Sequence, residues 1–132
     1  MSDTIYRAGV IGLGIMGNIA DGLGGRHPRW YAPCCQSDVY AFHARTELVA
    51  GSTRDAGRQQ LFREKHGNKP VYADYRQMLE HEELDIVSIA TPATCHAEMV
   101  VACAEDGVRG IYCEKAMATS LDECDRMIAA CR

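Results

Sequence analysis

The sequence predicts an α/β domain, a doubly wound parallel sheet of about five strands with helices on both faces. Three observations predict it. Short apolar runs alternate with longer amphipathic ones, the rhythm of βαβ units. The first apolar run ends in a glycine cluster. The run Leu84 to Ala90 (LDIVSIA) is nearly continuous in apolarity and rich in β-branched residues, as a strand covered on both faces must be.

Taken in order, Ile5 to Ile11 reads as the first strand, and Glu47 to Gly51 as the second, centred on Leu48-Val49-Ala50. Val71-Tyr72 is a short third, Leu84 to Ala90 the central strand, and Val108 to Cys113 the fifth. The helices between them have readable ends. Residues 55–66 form a polar helix stopped by Gly67, because glycine takes the left-handed conformation that closes a helix. Asp74, with Gln77 three residues on, caps a short helix carrying Met78 and Leu79. After Thr94, the residues Ala97, Val100, Val101 and Ala104 make one apolar helical face, which ends at Gly107. The last helix opens on a capping box of Ser120 and Glu123 and sets Leu121, Cys124, Ile128 and Cys131 on one side. One stretch breaks the rhythm. Gly22 to Cys35 (GLGGRHPRWYAPCC) puts glycines, prolines and a basic-aromatic cluster where a first helix should run on to the second strand. It reads as an insertion at 22–35. It is either a lid of Arg26, His27, Arg29, Trp30 and Tyr31 or a surface excursion packed around Trp30.

The chain has 132 residues, room for one domain. Its 14 Lys and Arg against 18 Asp and Glu give a formal net charge of −4, and no long run of like charge occurs. That balance argues against a protein that coats nucleic acid. Charged residues at 24% and hydrophobic ones at 47% are the mix of a soluble globular domain, not a disordered one. The longest apolar runs fall far short of the roughly 20 residues of a membrane span. The opening Met1-Ser2-Asp3-Thr4 lacks the order of a secretory leader. Seven cysteines (Cys34, Cys35, Cys95, Cys103, Cys113, Cys124 and Cys131) are an odd number with no C-x-x-C pair. With five dispersed histidines they imply reduced thiols, no metal and a cytoplasmic location.

Val10-Ile11-Gly12-Leu13-Gly14-Ile15-Met16-Gly17 is G-x-G-x-x-G, set between a strand and a helix. Gly12 permits the tight turn, Gly14 lets the backbone approach a pyrophosphate, and Gly17 lets helix and strand pack closely. The phosphates then face the unpaired N–H groups and the positive end of the helix dipole. The plain alternative is a tight turn with no ligand. The strand-to-helix setting and the βαβ units downstream favour a Rossmann-like dinucleotide site over Gly12, Leu13, Gly14, Ile15, Met16 and Gly17. The end of the second strand selects the dinucleotide. An Asp or Glu there accepts from a ribose 2′-hydroxyl and repels a 2′-phosphate. Here Gly51-Ser52-Thr53-Arg54 stands instead. The hydroxyls of Ser52 and Thr53 and the guanidinium of Arg54 suit a phosphate, so NADP is expected in preference to NAD. In the other reading Ser52 and Thr53 only begin the next helix and Arg54 is solvated.

Two downstream segments place polar groups at strand ends, where ligands of doubly wound folds bind. One is Thr91-Pro92-Ala93-Thr94-Cys95-His96, after the central strand. The other is Glu114-Lys115, after the fifth, and the two can converge on one ligand. In this order the motifs resemble the glucose–fructose oxidoreductase / inositol dehydrogenase / MocA (Gfo/Idh/MocA) family over nearly the whole chain. They are G-x-G-x-x-G, D-Y-x-x-M-L over Asp74 to Leu79, T-P-x-x-x-H and E-K. The resemblance implies pyrophosphate on Gly12, Gly14 and Gly17, and Thr91, Pro92 and His96 beside the nicotinamide ribose. It also implies Glu114 on the cofactor ribose, and Lys115 as a catalytic residue reaching nicotinamide and substrate. A cation there can orient a substrate hydroxyl and ease its deprotonation as hydride leaves. The implied enzyme moves hydride between NADP and a sugar, cyclitol or similar polyol.

Three departures from that family stand out. Ala116 replaces the proline of its usual E-K-P, the 22–35 insertion is not a general feature of it, and its substrate domain would follow Arg132. Residues 1–132 are therefore expected to be the dinucleotide-binding domain alone, without a final strand or substrate domain. Expected partners are the dinucleotide and, where a substrate domain is supplied, a small polyol or sugar, with no nucleic acid and no membrane. The open edge of the fifth strand predicts self-association. Three other readings remain. One is a nucleotide-binding module with no turnover of its own. Another is a β-hydroxyacid dehydrogenase-like enzyme, which the glycine loop with Ala20 and Leu23 resembles but nothing after residue 70 supports as well. The third is a thiol role for Cys95 or Cys113, with His96 adjacent to the first.

Overall fold

The computed structural model describes residues 4–19 and 33–132. Its strands are β1 (Tyr6–Ile11), β2 (Thr46–Ser52), β3 (Val71–Tyr72), β4 (Ile86–Ile89) and β5 (Gly110–Cys113). Its α-helices are α1 (Gln36–Phe42), α2 (Ala56–His66), α3 (Tyr75–His81), α4 (His96–Glu105) and α5 (Leu121–Ala130). All five strands run parallel in one sheet of order β3-β2-β1-β4-β5. Chain order thus reverses between β1 and β4, which opens a crevice at their carboxyl ends. Residues of β1, β2 and β4 are buried on both faces, including Ala8, Val10, Leu48, Ala50, Val87 and Ile89. One core joins the sheet to α3, α4 and α5 through Met78, Val100 and Met127; a smaller one packs Val10, Leu13, Leu48 and Phe62 on the other face. The α/β architecture is the one the apolar rhythm predicts.

The helix ends follow their local chemistry. Asp55 Oδ1 accepts from Arg58 N–H (2.9 Å) and Gly67, at φ 76°, closes α2. Asp74 Oδ1 accepts from Arg76 N–H (2.9 Å) at the start of α3. At α5 the capping box is displaced by one residue. Ser120 Oγ accepts from Glu123 N–H (3.2 Å), but the Glu123 carboxylate takes the N–H and hydroxyl of Thr119.

Three expectations change, and a fourth falls largely outside the described residues. The fifth strand begins at Gly110, because Arg109 N–H and Gly110 N–H both donate to Asp85 O in a turn. The central strand shrinks to β4, with Asp85 outside it and its carboxylate accepting from Arg7 N–H (2.9 Å). Of the insertion, 22–32 and with it the suggested lid lie outside the described residues; Cys35 is buried at the start of α1. The expected apolar face of α5 is not covered either. Met127 is buried, while Leu121 is 83% and Ile128 44% exposed.

A polar network ties the glycine-loop segment to α1 and α2. Ser37 Oγ donates to Asn18 Oδ1 (2.8 Å), Lys65 Nζ donates to Asn18 O (2.7 Å), and His66 Nε2 lies 3.0 Å from Asn18 Oδ1. Burial first, then the Lys65 and Lys69 cations, lowers the His66 pKa from 6.5 to about 4. A neutral ring with hydrogen on Nε2 can donate to Asn18. Because the folded value lies below the unfolded one, the unfolded chain binds the proton first. The stabilisation is complete above about pH 6.5 and is lost as the pH falls towards about 4. At about 1.4 kcal/mol per pH unit that is about 3 kcal/mol, which solvent screening reduces to about 2 kcal/mol. Urea unfolding between pH 7 and 4 should show the His66→Gln variant losing less stability over this window than the parent chain. Parallel losses in the two would remove His66 from the effect.

Candidate functional site

The site begins with β1, whose last residue delivers the chain into the glycine turn at the centre of the sheet. Gly12 sits at φ 90° and its N–H donates to Ser52 O (2.8 Å), which binds the turn to the end of β2. A Cβ on Gly12 would lie 2.6 Å from Ala90 O, and one on Gly17 only 1.8 Å from Gly12 O. Both positions are small because the fold leaves no room. Gly14 differs. A Cβ there would meet nothing nearer than Arg58 Nη1 at 3.5 Å, an ordinary contact with the tip of a flexible side chain. After it, Asn18 N–H and Ile19 N–H both donate to Gly14 O (2.9 and 3.1 Å), and Ile15–Ile19 form a π-helical turn.

The turn forms one wall of a cavity of about 620 Å³ over the carboxyl ends of β1, β2 and β4. Gly12, Gly14, Ser52, Thr53, Arg54, Thr91 and Pro92 line it, so the sequence-predicted groups from three strand ends share one recess. Leu13 does not reach it with its side chain, which is fully buried against Gly51 and Phe62 and leaves only its backbone to the turn. Ile15 and Met16 are exposed beside the turn, at 57% and 45%. Ser52 is buried, and Thr53 Oγ1 accepts from Asp55 N–H (3.3 Å).

Residues the motifs did not single out complete the recess. Arg58 joins Arg54 from the first turn of α2, and Arg76 enters from α3. No local spacing points to Arg58, because Arg54 lies before the Asp55 cap and off the helix; Arg76 lies inside the D-Y-x-x-M-L motif. Arg76 stacks over the Tyr75 ring, 4.7 Å from its centroid, and pairs with Glu98. Tyr75 donates to Glu98 Oε1 (2.9 Å); burial, then Glu98, pushes the phenol's ionisation up. The hydrogen bonds from Tyr75 and Arg76 hold the Glu98 carboxyl below its usual range.

Glu114 and Lys115 lie elsewhere. They line a second recess of about 590 Å³ between β5 and α5, with Tyr112, Met117 and Ile128. Thr91 thus lines the first recess and Lys115 the second. His96 connects them. It is fully buried, with Nε2 2.8 Å from Thr91 O and Nδ1 2.8 Å from Ala116 O. Its ring faces backbone carbonyls rather than an open cavity. It fastens the turn after β4 to the turn after β5, where the Lys115–Ala116 peptide is cis. Cys95 lines the first recess and Cys113 the second. Burial, then Glu114, pushes the Cys113 thiol up to about 11, so it is held protonated and poorly nucleophilic near neutral pH. Among the described residues no cluster of three or more His, Cys, Asp or Glu is placed to hold a metal, and no helix is long and apolar enough to cross a membrane.

Residues 6–132 match the family model described as oxidoreductase family, NAD-binding Rossmann fold, GFO_IDH_MocA. The chain belongs to the Gfo/Idh/MocA family. Within it, the chain is 30% identical over 122 residues to myo-inositol 2-dehydrogenase of Thermotoga maritima, covering 92% of this chain and 31% of that protein. It is 38% identical over 85 residues to D-apiose dehydrogenase of Paraburkholderia graminis, covering 64% of this chain and 22% of the relative. Among solved structures, the WlbA dehydrogenase of Bordetella pertussis in complex with NADH and UDP-GlcNAcA superposes with a TM-score of 0.74 at 26% identity. That match covers 99% of this chain and 34% of the WlbA chain. The chain thus spans about a third or less of the length of these Gfo/Idh/MocA proteins.

Proposed function

We propose that residues 1–132 are the dinucleotide-binding domain of an oxidoreductase that moves hydride between NADP and a sugar, cyclitol or similar polyol. Gly14 carries this reading. The fold has space for a side chain there, so a glycine serves whatever approaches the turn from the cavity, and a pyrophosphate is the group such a turn admits. When bound, the nicotinamide supplies the hydride acceptor or donor. The backbone of Gly12 to Gly17 would hold the pyrophosphate. Ser52, Thr53, Arg54 and Arg58 would hold the ribose 2′-phosphate.

The NADP preference rests on charge at the end of β2. The cavity presents Arg54 and Arg58 there, while the carboxylate of Asp55 is turned to its helix cap. That two relatives are a myo-inositol 2-dehydrogenase and a D-apiose dehydrogenase favours a polyhydroxylated substrate. Its binding groups would come from polypeptide outside these residues. Lys115, exposed beside the second recess, is the proposed catalytic cation, and Glu114 its neighbour on the ribose. A chain acting only as a nucleotide-binding module would bind equally well but consume no NADPH with any sugar. The uncovered Leu121 and Ile128 and the outer edge of β5 further support pairing between copies of the 132-residue chain.

Fluorescence titration should give tighter binding of NADPH than of NADH, and equal or tighter NADH binding would overturn the preference. Arg54→Ala should reduce that preference about tenfold. Gly14→Ala should leave the melting temperature nearly unchanged while weakening NADPH at least about tenfold; unchanged affinity would sink the turn as a phosphate site. In a longer polypeptide that carries the substrate-binding part, Lys115→Met should lower kcat by roughly a hundredfold or more. Full activity in that variant would take the lysine out of the reaction. Sedimentation of the 132-residue chain should show species larger than a monomer at high concentration, and a monomer throughout would count against pairing.

A further inference from the structure

Among the described residues one buried side-chain oxygen or nitrogen lacks a hydrogen-bond partner: Gln36 Oε1. The residue is 9% exposed at the start of α1. An acceptor buried without a donor is a standing cost to the fold, and an apolar side chain of similar size would fill the same space without it. The other half of the amide explains the arrangement. Gln36 Nε2 donates to Glu114 Oε1 at 2.7 Å, across 78 residues of sequence. Turning the amide over would set two acceptors against each other, so the bond to Glu114 fixes which atom is left without a donor.

Glu114 is held from three sides. Its N–H donates to Ile89 O (3.0 Å), continuing the ladder beyond β5. Its Oε2 accepts from Lys115 N–H (3.3 Å), and its Oε1 takes the Gln36 amide. The carboxylate is thus aimed by a residue from the opposite end of the chain, and it lines the recess that also holds Lys115. Its place along the sheet edge gives that aim a meaning. The glycine turn follows the central strand β1, the arginines follow β2 and β3, and Glu114 follows β5 on the other side. A dinucleotide with its pyrophosphate on the turn lays its adenosine half over the arginines and its nicotinamide ribosyl half towards β4 and β5. A vicinal diol offers two O–H donors, which a fixed carboxylate accepts well and a wandering one poorly.

We propose that Gln36 is a positioning residue for dinucleotide binding, holding the Glu114 carboxylate in the orientation that accepts the nicotinamide-side ribose diol. The proposal rests on the dinucleotide reading above and adds to it a residue outside every motif of the sequence. It explains why a buried glutamine is tolerated with one of its atoms unpaired. The amide serves the ligand site and not the core.

The test uses the 132-residue chain with two probes, NADPH and adenosine 2′,5′-bisphosphate, which lacks the nicotinamide half. Gln36→Leu should weaken NADPH about tenfold and leave adenosine 2′,5′-bisphosphate unchanged. Its melting temperature should stay level or rise, because the unpaired oxygen is gone. Gln36→Glu sets a second carboxylate against Glu114. It should bind NADPH weakly at neutral pH and recover as acid protonates the pair, a profile the parent chain lacks. Unchanged NADPH affinity in Gln36→Leu overturns the proposal. So does equal loss of both probes with a lower melting temperature, which marks a structural role. A parent chain that binds neither probe overturns the dinucleotide reading itself, and the role of Gln36 with it.

Discussion

Everything at the carboxyl edge of the sheet depends on how closely the chain folds back on itself after β1. A single added carbon at Gly17 would come within 1.8 Å of Gly12 O, and one at Gly12 within 2.6 Å of Ala90 O. Such contacts leave no slack, so the turn has one shape and it is locked to β2 by the Gly12 N–H bond to Ser52 O. The N–H groups of the turn are therefore fixed in space before any ligand arrives, and a site that needs no ordering loses no affinity to it. The network of Asn18, Ser37, Lys65 and His66 extends this rigidity outward and anchors the far end of the π-helical turn to α1 and α2.

The two recesses are linked through structure that is closed to solvent. His96 spans Thr91 O and Ala116 O, so the loop at the floor of the first recess and the loop carrying Lys115 cannot shift independently. A histidine in a T-P-x-x-x-H motif invites reading as a ligand contact. Here its burial makes it a strut, and its value to a bound molecule is the fixed distance between the two loops. Gln36 acts in the same indirect way on Glu114, from a different element. Both cases place a polar side chain behind the wall of the site, where it constrains the groups that face inward.

Much of this was legible in the sequence, for reasons tied to particular residues. The runs Ala8–Ile11 and Ile86–Ile89 are largely buried on both faces, so their apolarity is nearly continuous, broken only by Ser88. Asp55, Asp74, Gly67 and Ser120 announce helix ends because capping is local chemistry. Helix α1 was invisible for the opposite reason. Its inward residues are Gln36 and Ser37, while Val39 is 42% and Phe42 80% exposed, so the apolar pattern points away from the core. The face of α5 is misleading in a similar way, since Leu121 and Ile128 form an apolar stripe that stays exposed among the described residues. The bonds of His96 to Ala116 O and of Gln36 to Glu114 join residues 20 and 78 positions apart. No local pattern encodes such pairings, and only the sheet order brings the partners together.

Charge is the last element that sequence counting obscured. The chain is acidic overall, at −4, yet its main recess gathers Arg54, Arg58 and Arg76. Acidic residues line the same recess, and their disposition decides its character. Asp55 and Asp74 cap α2 and α3, so each turns an oxygen to a backbone N–H at its own helix start. Glu98 accepts from Tyr75 and pairs with Arg76. Arg76 is thereby partly neutralised and stacked on an aromatic ring, which suits it to the flat face of a base more than to a phosphate. Arg54 and Arg58 follow the end of β2, and the Arg58 guanidinium reaches back towards Gly14. The positive character of the recess is therefore concentrated where the glycine turn meets β2. An anion entering there meets N–H donors and guanidinium groups together, while Asp55 Oδ1 accepts from Arg58 N–H at the start of α2.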